Sequence, residues 1–162
     1  MLQSLYSFVT ALHKLGQDAF LQTHADPVLV VEPFAEKTRA KFQTVTSEAG
    51  EGTGTSVARV HKREGANAFG MMITIGRAAN NDVVIRAPDV SKFHAYLRHD
   101  GERWQITDAG SRFGTVVDGG ARLEKDQSAP LESGAKLQLG TVRATFLAPG
   151  DFVKYLRVDD GA

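Results

Sequence analysis

The chain contains no cysteine, which excludes disulfides, zinc-thiolate sites and thiol nucleophiles and fits a reducing compartment. It also lacks a surplus of either charge, with 19 basic against 19 acidic residues and a net charge of zero when the histidines are neutral. Nucleic-acid binders draw most of their affinity from neutralising phosphates and usually carry a basic excess, so no nucleic-acid partner is expected. Long hydrophobic runs are missing too. No stretch reaches the roughly 18 apolar residues that a membrane span requires, and no membrane partner is expected. The apolar N-terminus has no basic residue before Leu12, and His13, Lys14, Gln17 and Asp18 interrupt it, unlike a signal peptide. These absences together lead us to expect a soluble, cytoplasmic protein.

What is present is enough apolar residue, 42% of 162, to bury the core of one ordinary domain. Glycine is plentiful, at 16 residues, above the usual share of about 7%. Most of it follows residue 50, where tight turns need it. From Leu2 to about Leu21 the residues Leu5, Val9, Leu12, Leu15, Ala19 and Phe20 recur at steps of three or four, the spacing of one helical face. His24, Ala25, Asp26 and Pro27 end that helix, and Val28 to Val31 reads as a short buried strand. The same stripe would serve packing against the rest of the chain or docking and dimerisation. The segment from Glu48 to Thr55 is Gly/Thr-rich and acidic, as in a loop or linker. No Gly-Lys-Ser/Thr and no apolar helix pattern follow its spaced glycines, so it supports neither a P-loop nor a dinucleotide turn.

Between Ser56 and Leu147 short apolar runs alternate with turn signals. The runs are Val57 to Val60, Met71-Ile73-Ile75, Val83 to Ile85, Ala95 to Leu97, Trp104 to Ile106, Val116-Val117, Leu137 to Leu139 and Ala144 to Leu147. Asn80-Asn81-Asp82, Ala87-Pro88-Asp89, Asp100-Gly101, Asp118-Gly119-Gly120 and Ser133-Gly134 separate them. Many short strands about ten residues apart predict an all-β sandwich, with a hairpin turning at His99 to Glu102. A C-terminal helix follows, capped by Asp151 and carrying Phe152, Tyr155 and Leu156 on one face.

Three motifs stand in order inside this β region. Ile75-Gly76-Arg77 ends a strand and leads to Asn81-Asp82-Val83-Val84-Ile85. Val90-Ser91-Lys92-Phe93-His94-Ala95 comes next, then Asp108-Ala109-Gly110-Ser111-Arg112-Phe113-Gly114-Thr115. The set resembles the signature of the forkhead-associated (FHA) domain family: Gly-Arg, Ser-x-x-His, and Asp-x-Gly-Ser-x-Asn-Gly-Thr. A glycine-punctuated apolar run from Leu131 to Gly140 adds to the likeness, and the chain as a whole looks like a small bacterial-type single-FHA protein.

The resemblance implies a mainly β fold, an FHA-type β-sandwich of about eleven strands, whose loops at one end bind a phosphothreonine peptide. It divides the chain into an N-terminal helix, strand and Gly/Thr-rich segment over 1–55, an FHA domain over 56–148, and a short helix and tail over 149–162. It places Arg77, Ser91, Lys92, Arg112 and Phe113 at the phosphopeptide and gives Gly76, His94, Gly114 and Thr115 a supporting role. The residue chemistry agrees. A phosphate dianion needs donors that stay charged; Arg77 has a permanently charged fork of N–H groups, Ser91 a hydroxyl, and Lys92 a flexible cation. Phe113 departs from the family, whose Asn at that place bonds the peptide backbone.

A phosphothreonine-dependent adaptor in kinase signalling is therefore expected, with a phosphate-independent scaffold or oligomerisation module as the alternative. The partner would be a phosphothreonine-containing protein or this chain's own N-terminal region, where Thr44, Thr46, Thr53 and Thr55 lie. No enzyme activity, cofactor or metal is expected. Ser91, His94 and Asp108 are the residue types of a hydrolase triad, but no nucleophile-elbow motif surrounds the serine. The histidines at 13, 24, 61, 94 and 99 offer no helical pair for a metal.

Overall fold

The computed structural model describes residues 2–35 and 54–159. Thr44, Thr46, Thr53 and most of the Gly/Thr-rich segment lie outside the described residues.

Two β-sheets form the body of the molecule. One has six strands in the order β1 (Gln3–Ser4), β3 (Ser56–Arg59), β2 (Val28–Val31), β11 (Val142–Leu147), β10 (Lys136–Leu139) and β8 (Thr115–Val117). The other has five, in the order β5 (Val83–Val84), β4 (Ile73–Gly76), β6 (Ala95–His99), β7 (Trp104–Asp108) and β9 (Ser128–Leu131). All pairs are antiparallel except β4 with β5, which run parallel. The expected sandwich of about eleven strands is thus observed.

The strand sequences explain the layering. Strands with two buried faces read as unbroken apolar runs, whereas half-buried strands alternate. Val28-Leu29-Val30-Val31 is such a run because β2 lies inside the sheet with a core on each side. Leu29 and Val31 join Ala58, Ile75, Leu97, Ile106, Leu137 and Phe146 between the sheets. Val28 and Val30 join Val57 and Leu147 on the opposite face, beneath the helices. The helices are α1 (Leu5–Leu15), α2 (Gln17–Thr23) and α3 (Pro149–Asp159), and they supply Phe8, Leu12, Phe20, Phe152, Val153 and Leu156 to that second core. Each such side chain contributes about 1.5–3 kcal/mol when fully removed from water. Most of the N-terminal stripe, Leu15 excepted, is therefore covered within the chain itself.

Several details differ from the sequence expectation. The N-terminal helix is broken at Gly16, whose φ of 83° ends α1 and whose N–H bonds the Leu12 carbonyl. That break turns Leu15 outward, to 46% exposure, while Phe8 packs inward at 3%. Met71 stands outside β4 and is 79% exposed, because the strand starts only at Ile73. Asp151 does not cap the last helix. Pro149 opens it, as suits a residue without an N–H, and the Asp151 carboxylate in the first turn accepts the Ser133 hydroxyl. Strand β9 carries Pro130 and went unread in the sequence; it is an edge strand, where a missing N–H is tolerated. The hairpin at His99 to Glu102 forms as expected between β6 and β7, with the Asp100 carboxylate accepting the Glu102 and Arg103 amides.

Candidate functional site

Three loops converge at one end of the sandwich: β4–β5 (77–82), β5–β6 (85–94) and β7–β8 (109–114). The first two are stitched through backbone groups. The Arg77 N–H donates to the Ser91 carbonyl at 2.9 Å, and the Ala78 N–H donates to the Lys92 carbonyl at 3.2 Å. The Asn81 amide reinforces this, donating to Lys92 O at 2.7 Å and to Ala78 O at 2.8 Å. Such close contact requires a glycine. A Cβ on Gly76 would lie 2.2 Å from the Lys92 carbonyl oxygen.

Beneath the loops sits His94, with no exposed surface. Its Nδ1 accepts the Ser91 N–H at 3.1 Å and its Nε2–H donates to the Gly114 carbonyl at 2.9 Å, an arrangement that needs the neutral Nε2-protonated ring. Burial pushes its pKa below 6.5, against the opposing pull of the Gly114 bond and the Asp108 charge. His94 thus braces two loops and is sealed from solvent.

The third loop is organised around Asp108. One carboxylate oxygen accepts the Gly110 and Ser111 amides, and the other accepts the hydroxyls of Ser111 at 2.6 Å and Thr115 at 2.7 Å. Burial alone would raise the Asp108 pKa, but these donors together outweigh it and hold the carboxyl below its ordinary value. Ser111 passes the support on, accepting the Gly114 N–H at 3.0 Å. Gly114 itself has φ of 93°, in the left-handed region that favours glycine. Ser91, His94 and Asp108 consequently form no relay: Asp108 is spent on its own loop, and His94 Nδ1 faces the Ser91 amide, not its hydroxyl.

Above this frame the expected contact residues gather. Arg77 is half-buried, and among the described residues its guanidinium makes one hydrogen bond, to the Val90 carbonyl at 3.4 Å. The Ser91 hydroxyl oxygen accepts the Arg112 N–H at 3.0 Å and keeps its own hydrogen to donate. Lys92 is exposed beside it. Phe113 is 50% exposed, with the Arg112 guanidinium 5.3 Å from its ring centre. Among the described residues, no carboxylate stands within ion-pair distance of Arg77, Lys92 or Arg112. The loop end therefore presents uncompensated positive charge and free donors on a chain whose net charge is zero.

Two supporting groups escaped the site reading of the sequence. Asn81 lies within the first motif, where sequence alone gives it no role, and in the fold it ties the first two loops together. Lys62 has no motif; its ammonium is 2.7 Å from the buried Asp82 carboxylate, which also accepts the Thr74 and Arg63 amides. Burial would raise the Asp82 pKa, and the Lys62, Thr74 and Arg63 donors reverse that and lower it. Phe69 stacks on Phe93, and Phe93 on Tyr96, holding the preceding loop against the outer face of the five-stranded sheet.

A two-sheet sandwich that gathers an Arg/Ser/Lys cluster on the loops at one end defines a recognition module. Residues 73–140 match the family model for the FHA domain. Over 72 residues the chain is 33% identical to the oxoglutarate dehydrogenase inhibitor of Corynebacterium jeikeium, covering 44% of this chain and 47% of that protein. It is 36% identical over 72 residues to the glycogen accumulation regulator GarA of Mycolicibacterium smegmatis, covering 44% and 43%. The chain thus spans a little under half the length of these two relatives. The solution structure of the FHA domain of an Arabidopsis thaliana hypothetical protein superposes with a TM-score of 0.52 at 19% identity, covering 76% of this chain and 86% of that one. That likeness concerns the fold. FHA domains are binding modules, and among the described residues there is no cluster of potential metal ligands and no helix long and apolar enough to cross a membrane.

Proposed function

We propose that this chain is a phosphothreonine-dependent adaptor that recognises a phosphorylated protein partner. The observation that carries this reading is the Arg77–Ser91 pairing. One backbone hydrogen bond fixes the two residues together, and each keeps side-chain donors unspent: most of a guanidinium fork and a hydroxyl hydrogen. Lys92 adds a mobile cation beside them. A phosphate dianion supplies the charge and the acceptor oxygens that such a site lacks. The threonine kinase that writes the mark, and residence in the cytoplasm, are parts of the same proposal, as is the absence of catalysis by this chain. Binding between chains is the form proposed.

The direct test is a degenerate phosphothreonine peptide library, with unphosphorylated and phosphoserine controls, presented to the wild type and to Arg77→Ala. Selective binding by the wild type that disappears in the variant supports the reading. Partner binding that survives dephosphorylation and Arg77→Ala would instead favour a phosphate-independent scaffold, the reading that Phe113 at the Asn position motivates.

A further inference from the structure

The motifs leave Arg122 unmentioned, yet it is built into the same loop end. Its side chain lies flat across Gly114: a Cβ placed on that glycine would meet Arg122 Nε at 2.4 Å, Cδ at 2.6 Å and Cγ at 2.8 Å. Its Nη2 donates to the Arg112 carbonyl at 3.0 Å. Backbone bonding fixes its base as well, since the next residue, Leu123, is buried and its N–H bonds the Thr115 carbonyl at 2.9 Å. Glycine at 114 thus does more than permit a positive φ. It leaves the space through which this guanidinium reaches the site.

Arg122 is exposed, and among the described residues its guanidinium makes one hydrogen bond, so most of its N–H fork is unspent. No carboxylate stands within ion-pair distance of it among the described residues, although Glu124 and Asp126 are close in sequence. Arg112, whose carbonyl it clamps, is likewise unpaired and rests on the Phe113 ring. The path from the phosphate donors is short. The Ser91 hydroxyl meets Arg112 N at 3.0 Å, and Arg112 O meets Arg122 Nη2 at 3.0 Å. Adding the span of one residue puts the Arg122 guanidinium at most about 10 Å from Ser91, the reach of roughly three extended residues.

We propose that Arg122, together with Arg112, forms a second anion subsite that reads a negatively charged side chain on the phosphothreonine-bearing partner, within about three residues of the mark. The group read is a carboxylate or a second phosphate, both of which match the planar guanidinium fork. This rests on the phosphothreonine reading and adds a sequence preference to it.

The test uses phosphothreonine peptides that carry Ala, Glu or a second phosphothreonine at each flanking position in turn. Affinities are measured by titration calorimetry for the wild type, Arg122→Gln and Arg122→Lys. At one or more positions the wild type should prefer the anionic peptide over its Ala counterpart by about five- to tenfold. The ratio should collapse toward one in Arg122→Gln and largely return in Arg122→Lys. A Glu effect equal to that of phosphate identifies a carboxylate reader, and a phosphate effect alone identifies a reader of doubly phosphorylated segments. If Arg122 only clamps the loop, Arg122→Gln lowers all affinities together and leaves the ratio intact, which overturns the proposal. So does a wild type that shows no preference while still binding through Arg77. Absence of any Arg77-dependent phosphothreonine binding overturns the parent reading and this one with it.

Discussion

The Ser91 hydroxyl oxygen accepts the Arg112 backbone N–H at 3.0 Å, and this one contact ties the β5–β6 loop to the β7–β8 loop across 21 residues of sequence. Ser91 is therefore both a donor toward a ligand and a strut between loops. Ser91→Ala removes both roles. A hydrogen bond to a charged group is worth about 1.5–3 kcal/mol, so phosphothreonine peptide affinity should fall at least tenfold. The contact lies at the surface, and the thermal midpoint should move by only a few degrees. Titration calorimetry and a thermal scan on the same protein separate the two effects. Unchanged peptide affinity would remove Ser91 from the site.

His94 gives the fold a pH signature. Its folded-state pKa lies below 6.5 because the ring is buried. Between that value and the unfolded one, the unfolded chain binds a proton that the folded chain does not, so stability rises with pH across the window. The contribution is complete above about pH 6.5 and is lost as the pH falls below it. His94→Gln, which cannot titrate, should be less stable overall but show a flatter dependence below about pH 6.5. Urea unfolding at a series of pH values reads this. An equal slope in both proteins would refute the assignment of His94 as the titrating group.

Gly76→Ala is expected to damage fold and site together. The added methyl would stand 2.2 Å from the Lys92 carbonyl oxygen and 2.8 Å from the Asn81 amide nitrogen, neither of which can retreat without breaking the stitch between loops. Overpacking of this kind costs about 1–3 kcal/mol. The denaturation midpoint should fall, and any peptide affinity that remains should fall with it, because Lys92 and Ser91 move. A variant as stable as the wild type would show that the loops separate freely.

The sandwich was legible in the sequence because its strands are short, apolar and separated by Gly, Asn and Asp turns, so that periodicity and turn chemistry agree. Arg77, Ser91 and His94 were legible because they sit beside glycines and loop residues whose order is distinctive. Other features were hidden. The apolar period of Leu5 to Phe20 runs straight through Gly16 and so masks the helix-ending signal that this glycine carries. Strand β9 has one buried residue, Leu131, and a proline, so its pattern reads as loop. Arg122 and Lys62 matter through what lies opposite them in space, Gly114 and Asp82, and single-chain spacing does not encode such pairings.

Asp108 should dominate the acid sensitivity of the third loop. Its carboxylate collects two amide and two hydroxyl donors, and they keep its pKa below the ordinary 3.8 despite burial. A depressed carboxylate pKa stabilises the fold above the unfolded value and loses that contribution as pH falls through the folded one, here below 3.8. Asp108→Asn keeps one acceptor oxygen and places an NH2 where two hydroxyls donate. The expected loss at neutral pH is about 2–4 kcal/mol, read by chemical denaturation. The gap between variant and wild type should narrow in strong acid. A constant gap across pH would mean that the carboxylate charge contributes nothing there.

Phe113 offers the last prediction. It occupies the position at which the FHA signature has Asn, and it is half-exposed beneath the Arg112 guanidinium. Phe113→Asn exchanges an exposed cation–π contact, worth about 0.5–1 kcal/mol, for an amide able to bond a peptide backbone, worth about 0.5–1.5 kcal/mol. Stability should change little, because the ring fills no core. Affinity for a phosphothreonine peptide without acidic flanks should rise by about two- to tenfold, since the new bond needs no charge on the ligand. The preference for an anionic flank should weaken in the same variant, because Arg112 loses the ring that orients it. Calorimetry on neutral and acidic peptides reads both effects. A variant with unaltered affinity and unaltered preference would show that Phe113 touches neither the peptide nor the cation that reads it, and the specificity of this end of the sandwich would then rest on Arg77, Ser91 and Arg122.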